Sequence, residues 1–529
     1  MDPLTCSLAM LVLGTLGGGP DARPLPVTVQ DDALMLHRSG AEVQATARRM
    51  ANLGVERVRL TASWSTLAPS PNSKQMPDFD AGSSDAYPRE AFTRLDRAVK
   101  AVTNNDMTPQ IDIAFFAPLW GVRRKVRITH ANRHRWEIRT DRYARFAEAV
   151  AKRYNGTHRD PARPSQRLPA VHIWATWNEP NHSAFLLPQW RRYEGKWVPR
   201  SPHLYRELHE RGYTAIKGVD PTNQVLIGNT AALGGLARGP RRTIAPLRFI
   251  RELACVDRRG RPLEDRPECA DFKPLQADGL AHHPYSLYDS PDVPSDHPDQ
   301  VTMGDLDRLS ELLDRLYRLG RTTARFPILI TEYGYETNPP DQLRGVSLRR
   351  QARYHGFATY LAWRKQDVTS FAQFLMNDIA PPANAGNDPF ENSRNWQSGL
   401  YFHDGRAKEM AVQAFRVPFW AEARSLAGSD AVVLFGQVRP SEGRKRMEVE
   451  MKAPDGSWIP IETYETRSAG DFTCGQDTTT FLTDTEGFYM RVAPYSGRAT
   501  YRARWIKSDG TSEYGVTIPV GEPEPPTAG

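Results

Sequence analysis

From about residue 25 to 420 the chain alternates between short apolar runs and longer amphipathic segments. The apolar runs are Val27–Val29, Val55–Leu60, Gln110–Phe115, Val171–Trp177, Gln224–Gly228, Gly279–His283, Phe326–Thr331 and Phe371–Leu375. Each has the length of a buried strand. Between them lie segments of helical period. One places Tyr143, Phe146, Val150 and Tyr154 on a single stripe, and Leu306–Leu319 repeats leucine in the same way. Eight β–α units over about 400 residues predict an α/β fold, a (β/α)8 barrel enlarged by insertions. Beyond residue 425 the period changes to 2, in runs such as Ala431–Phe435, Met447–Met451, Gly487–Val492 and Ala499–Trp505, with turns at Pro454–Gly456 and Ser508–Gly510. Six or seven short strands of this kind predict a small all-β sandwich of the immunoglobulin or fibronectin type. The domains expected are therefore a signal-like or flexible segment at 1–24, a barrel at 25–425, a sandwich at 426–520 and a disordered tail at 521–529.

The insertions are not spread evenly. Pro-, Gly- and Asp-rich stretches at 67–88, 117–140, 180–202, 286–303 and 378–397 each follow a strand, whereas returns such as Leu53–Gly54 are tight. Loops after strands crown the C-terminal face of a barrel, where such folds place their active sites. An enlarged crown suits a cleft for an extended substrate.

Composition narrows the class. Of 529 residues, 40% are hydrophobic and 10% aromatic, which excludes disorder as the main state. After the first 20 residues no apolar run approaches the ~18 that spanning a membrane requires. Net charge is +7, but the basic residues are interleaved with acids and the densest cluster, Arg123, Arg124, Lys125 and Arg127, is short. That pattern argues against a nucleic-acid partner. Leu8–Leu16 followed by Gly17–Pro20 has the shape of a secretory core and cleavage zone, although Asp2 stands where a basic residue is expected, and it predicts export. Cys255 and Cys269 form a plausible disulfide in an oxidising compartment, Cys6 would leave with the signal, and Cys474 stands alone. No spacing calls for zinc, and no metal or cofactor is expected.

Two segments carry chemistry. Trp177–Asn181 ends the fourth strand and offers Glu179 beside Asn178, with Pro180 expected to push Glu179 towards extended backbone. Ile330–Tyr335 places Glu332 at the end of the seventh. Strands four and seven of one barrel face each other across its mouth. Two carboxyls opposed over a cleft are what hydrolysis of a glycosidic bond requires. A lone glutamate at a strand end is an ordinary solvated loop residue; the opposed pair, each after an apolar strand, is not.

With those residues in hand, the barrel resembles the clan A retaining glycoside hydrolases and is similar to families 39 and 5 among them. Trp177-Asn178-Glu179-Pro180 matches the acid/base signature of the clan, and Thr331-Glu332-Tyr333-Gly334 looks like its nucleophile strand. The resemblance covers roughly residues 27–420. It implies double displacement at a β-glycosidic bond of an oligo- or polysaccharide, with Glu332 as nucleophile, Glu179 as acid/base and a carboxyl separation of roughly 5–5.5 Å. It also implies that Arg59 supports the nucleophile, that the Tyr285 hydroxyl bonds Glu332, that His283 lines the sugar subsite and that Asn178 holds the 2-hydroxyl. Glu332 is then expected to stay ionised and Glu179 to be held protonated. The chain departs from the clan at strand eight, Phe374–Asp378, which lacks the usual tryptophan. Trp396, in a neighbouring loop, is the substitute platform. A transglycosidase and a catalytically silent carbohydrate-binding protein are the alternatives.

Other residues are weaker. Trp64, Trp120, Trp190 and Tyr288 stand near crown positions where a sugar could stack, or in loop packing. Asp31 and Asp32 close the first strand and could bind an outer hydroxyl. His130 and His134 have i, i+4 spacing without the glutamate of a zinc helix. His282 and His283 fit strand alternation, and Glu336 fits a loop acid. Oligomeric state is not legible.

Overall fold

The structure is a computed structural model that describes residues 24–123, 130–386, 388–426, 429–465 and 479–523. Apart from residue 24, the signal-like segment lies outside the described residues. So do Cys6, Cys474, the basic residues Arg124, Lys125 and Arg127, and the tail from 524.

Eight parallel strands close into a barrel in chain order. They are β1 (Val27–Gln30), β2 (Arg57–Ser63), β3 (Thr108–Ala114), β4 (Ile173–Thr176), β5 (Gln224–Ala231), β6 (Gly279–His283), β7 (Ile328–Ile330) and β8 (Val368–Phe374). A helix follows each strand: α1 (Gly40–Asn52), α2 (Thr93–Thr103), α3 (Thr140–Arg153), α4 (Ser201–Val219), α5 (Pro246–Leu253), α6 (Leu306–Arg318), α7 (Leu348–Arg364) and α8 (Glu409–Arg416). The predicted (β/α)8 architecture is the observed one. The stripes read from periodicity are the buried faces. Tyr143, Phe146 and Val150 of α3, Tyr154 just beyond it, and Leu306, Leu309, Leu313 and Leu316 of α6 all lie in the core. Local signals agree at the ends, as at α1, where Ser39 and Glu42 form a reciprocal capping box.

The long connections lie between strands and helices, on the crown, as at 64–92, 115–139 and 375–408. Two returns on the opposite side are also long. One carries a ribbon, Arg159–Asp160 against Arg163–Arg167. The other, between α5 and β6, holds the Cys255–Cys269 disulfide, with Cα atoms 5.6 Å apart.

The C-terminal region forms a four-stranded and a six-stranded antiparallel sheet. Its strands are β9 (Phe419–Leu426), β10 (Ser429–Gln437), β11 (Arg446–Lys452), β12 (Trp458–Pro460), β13 (Tyr464–Glu465), β14 (Thr480–Leu482), β15 (Phe488–Pro494), β16 (Ala499–Ile506), β17 (Ser512–Tyr514) and β18 (Ile518–Val520). Val432 and Leu434 of one sheet share a core with Met447, Val449, Tyr501 and Ala503 of the other. Residues 419–425, expected in the barrel, belong here, because all of β9 pairs with β10. The sandwich packs on α7 and α8. Trp420 stacks on Phe357 at 3.8 Å, Tyr360 and Trp363 each meet Phe435 at 5.1 Å, and Arg416 pairs with Glu513 at 2.7 Å. Among the described residues no helix is long and apolar enough to cross a membrane.

Candidate active site

The register of β1, β2 and β3 sets Gln30, Arg59 and Gln110 side by side, with Asp112 two residues further along β3. Arg59 is 1% exposed. Burying a charge at that depth is costly unless it is bonded, so its partners define the site. Its Nε donates to Asp112 Oδ2 at 2.7 Å and its Nη2 to Asn178 Oδ1 at 2.9 Å, while Nη1 reaches both Gln30 and Glu332 Oε1. One guanidinium thus ties β1, β3 and the end of β4 to the end of β7. Asp112 is held in turn by Asn229 Nδ2 at 2.7 Å and Gln110 Nε2 at 3.2 Å. Thr331 donates to Asn229 Oδ1 at 2.9 Å, which closes the ring beneath Glu332.

Glu179 sits opposite. Its backbone is not extended as Pro180 led us to expect, but left-handed, with φ +38°; Trp177 and Asn229 are left-handed too, at +66° and +47°. Hydrogen bonds override the local preference. Glu179 N donates to Asn229 O at 2.9 Å, His182 N to Glu179 O at 2.8 Å, and Asn229 Nδ2 to Trp177 O at 2.9 Å. Such a residue stores about 1–3 kcal/mol of strain, held in place by the surrounding bonds. The consequence is that Glu179 turns its carboxyl into the mouth rather than out to solvent.

The two carboxyls meet across His283. Its Nδ1 lies 2.9 Å from Glu179 Oε1 and 3.6 Å from Glu332 Oε2. Donor oxygens of the two glutamates and a ring nitrogen of His283 all fall within 4.8 Å of one another. Tyr285 donates to Glu332 Oε2 at 3.1 Å. Burial raises the carboxyl pKa of both glutamates, an effect the expectation for Glu332 left out. Arg59 and the Tyr285 hydroxyl pull Glu332 back down, whereas Glu179 is pulled down by His283 and raised by the charge of Glu332. Burial also lowers His283 to about 4, so the imidazole is neutral at physiological pH.

Arg59, Asn178, Glu179, His283, Tyr285 and Glu332, read from separate strands, therefore converge. Asn178 Oδ1 accepts from Arg59, so the side chain is held beside Glu332 by the same guanidinium. Trp396 joins them. It is 39% exposed, its ring lies 5.4 Å from that of Tyr285 and it meets Phe374 edge-on at 5.6 Å. Its loop is anchored from below by Lys408, which is fully buried. Lys408 Nζ donates to Asp378 Oδ1 at 2.8 Å, Thr337 Oγ1 at 2.8 Å and Gln397 O at 2.9 Å. Glu336, the loop acid, is partly buried nearby and raised to about 7 by that burial and by Asp341.

Several expectations need correction. Trp64, Trp120 and Trp190 are no more than 1% exposed and belong to the core, so they cannot stack a sugar; Tyr288 is exposed. Asp31 is spent on backbone amides, accepting from Leu34 at 3.0 Å and from Met376 and Asn377 at 3.1 Å, which ties β1 to the end of β8. Asp32 accepts from Thr61 N at 3.2 Å. His282 faces away from the mouth, bonded to Thr230 and Val301. His134 bonds the Ala117 carbonyl, and the side chain of His130 lies outside the described residues. Sequence reading missed Gln30, Asp112, Asn229 and Lys408. A signal existed for Asp112, an acid between Ile111 and Ile113 on the strand beside Arg59. None marked Lys408.

Glu179, His283 and Glu332 also form a donor set of the kind that holds a metal. The donors fit poorly, because the Arg59 guanidinium already lies on Glu332 and would repel a second cation. A further cluster, His203 with Cys255 and Cys269, is closed to metal by the disulfide.

No family model and no curated protein matches the chain. Solved structures with some likeness include an exo-β-1,4-mannosidase from Opitutaceae bacterium strain TAV5, 17% identical, covering 74% of this chain and 58% of its own, TM-score 0.41. They also include a β-glycosidase from Thermosphaera aggregans (15% identity, 75% and 96% coverage, TM-score 0.40) and a family 5 glycoside hydrolase mannosidase from Rhizomucor miehei (14%, 74% and 92%, 0.39). This chain thus spans less than two thirds of the first of these proteins. Likeness at this level leaves the assignment of function to the site itself.

Proposed function

We propose that the protein is a retaining glycoside hydrolase acting on a β-linked oligo- or polysaccharide, with Glu332 as nucleophile and Glu179 as acid/base. The observation that carries this reading is the approach of the two carboxyls, with oxygens within 4.8 Å. Retention requires roughly 5–5.5 Å between the groups, and inversion roughly 6.5–9.5 Å to admit a water between them. Two carboxyls at that separation cannot both ionise readily. Of the two glutamates Arg59 and Tyr285 bond Glu332 and not Glu179, so the negative charge belongs on Glu332 and the proton on Glu179.

The steps follow. A Glu332 oxygen attacks the anomeric carbon as its bond to the leaving oxygen breaks, and Glu179 transfers its proton to that oxygen. The product is a glycosyl ester of Glu332. Glu179, now a carboxylate, takes a proton from water as the water oxygen attacks the anomeric carbon, which releases the sugar and restores Glu332. Asn178 and Trp396 hold the sugar, through a hydroxyl and a ring face. The Cys255–Cys269 bond supports an exported enzyme, since disulfides persist in oxidising compartments.

The test is release of sugar from a panel of aryl β-glycosides and polysaccharides, with Glu332→Gln beside the parent. Parent activity with a loss of about 10^3-fold or more in the variant is expected. Equal rates in both would move the chemistry away from Glu332.

A further inference from the structure

A second feature of the crown lies outside this site. Between the loops after β1 and β2 is a cavity of about 630 Å³ lined by His37, Arg38, Leu67, Glu90, Arg94 and Arg97, among others. Its size is within the range of small-molecule sites, roughly 300–1,000 Å³. Its charge is lopsided. Among the described residues, Arg38, Arg94 and Arg97 have no carboxylate within ion-pair distance, and Glu90 is the one acid on the wall.

Two of the three cations are held in place. Arg97 donates to the Arg38 carbonyl at 2.5 Å, and its Nε is buried without a partner. Arg94 donates to His37 Nδ1 at 3.1 Å, which keeps that ring nitrogen an acceptor. Arg94 stands in the first turn of α2, where the helix dipole disfavours a cation, and Arg97 in the turn that follows. Phe92 supplies no side-chain cap there. Arg94 and Arg97 at this helix end, with Arg38 on the same wall, are satisfied by an incoming oxyanion, which a guanidinium can bind through two parallel bonds. Leu67, Ala68 and Pro88 give the same cavity an apolar wall, as a ligand with a carbon skeleton requires.

The position supplies the ligand class. The cavity is lined by the loops that follow β1 and β2, on the same end of the barrel as the ends of β4 and β7 that carry Glu179 and Glu332, and His37 at its edge stands seven positions after Gln30, which bonds Arg59. We infer that this cavity is an outer subsite for a carboxylated or sulfated sugar unit of the substrate chain. The inference rests on the proposed glycosidase reading for the choice of a saccharide, and its test does not depend on turnover.

Binding to the full chain carrying Glu332→Gln is measured by calorimetry at low salt, with a hexauronate, a sulfated hexasaccharide, a neutral hexasaccharide and a single-stranded hexanucleotide. An acidic saccharide should bind at least tenfold more tightly than the neutral one, and weaken at least tenfold when Arg38→Ala and Arg94→Glu are added. Either acidic saccharide fulfils the inference, and the tighter one identifies the anion. Both arginines are exposed, so unchanged thermal midpoints are expected and exclude a folding defect. Equal binding of acidic and neutral chains overturns the inference, as does acidic binding that survives both substitutions. Equally tight binding of the oligonucleotide overturns it in favour of a general polyanion site. If the parent hydrolyses no glycoside while the acidic chain still binds through these arginines, the glycosidase reading fails and the subsite stands. Hydrolysis without acidic binding gives the reverse.

Discussion

Two arginines, each 1% exposed, occupy opposite situations in this molecule. Arg59, in the mouth of the barrel, is ringed by Asp112, Glu332, Asn178 and Gln30. Arg439, in the seam beneath the sandwich, has neutral partners: the Phe415 carbonyl at 2.9 Å, Gln437 Oε1 at 3.0 Å, His355 at 3.4 Å and the Phe415 ring at 4.9 Å. Burial alone would lower the pKa of either guanidinium. It brings Arg439 down to about 9, whereas for Arg59 the charges of Asp112 and Glu332 outweigh it and raise the value. Burial is therefore not what separates a functional charge from a structural one. What separates them is whether the charge is matched by others that a reaction can use. In the mouth the charges are linked hand to hand and end on two partly exposed glutamates; in the seam the partners are a carbonyl, an amide, an imidazole and an aromatic face, and Arg439 Nη2 is left without a hydrogen-bond partner.

Breaking the mouth should cost most. Arg59→Met leaves Asp112 and Glu332 as uncompensated buried acids, so a loss of about 3–5 kcal/mol in denaturant unfolding is expected, together with collapse of any glycosidase activity. A smaller effect is expected at Lys408, which acts on the site through the Trp396 loop. Lys408→Met should destabilise by about 2–4 kcal/mol, because Asp378 loses its buried partner, and should raise KM more than it lowers kcat. Adding Asp378→Asn should recover part of the stability; recovery of neither stability nor KM would show that Lys408 does not act through that pair.

The third prediction concerns pH. Glu179 has a pKa raised above its unfolded value, so the folded state binds more protons than the unfolded state between the two. Its contribution to stability is present below the ordinary glutamate pKa and is lost as pH rises through the folded value. Glu179→Gln, which cannot ionise, should therefore melt at a higher temperature than the parent at neutral pH, with the gap closing towards pH 4. A gap that does not change with pH would mean that Glu179 titrates normally. The smallest effect is expected in the seam. Arg439→Met relieves a buried charge and gives up its neutral hydrogen bonds, so stability should stay within about 1 kcal/mol of the parent. A loss as large as that of Arg59→Met would erase the contrast between the two regions.

Much of this was legible without coordinates. The alternation of apolar runs and amphipathic stripes determined the eight β–α units, because periodicity follows from the geometry of strand and helix and needs no knowledge of partners. The placement of Pro- and Gly-rich insertions after strands pointed to the crown. Glu179 and Glu332 could be singled out because each ends an apolar strand, and strands four and seven of a closed barrel must face each other. The boundary at residue 425 missed for the same kind of reason: β9 is hydrophobic enough to pass for a last barrel segment, and only its pairing with β10 assigns it.

Tertiary structure alone decided the rest. Trp64, Trp120 and Trp190 lie in crown loops, and nothing local distinguishes a sugar platform from a core aromatic until the neighbours that cover it are in place. Pro180 gives Glu179 an extended preference, and hydrogen bonds to the distant Asn229, with one from the nearby His182, reverse it. Lys408 reads as one more surface cation next to Glu409, yet it is fully buried on Asp378, Thr337 and Gln397. Backbone periodicity and strand ends are properties of neighbours along the chain and can be read from it. Burial and charge pairing depend on groups as far apart as Arg59 and Glu332, 273 positions along the chain, and become defined only when the barrel closes.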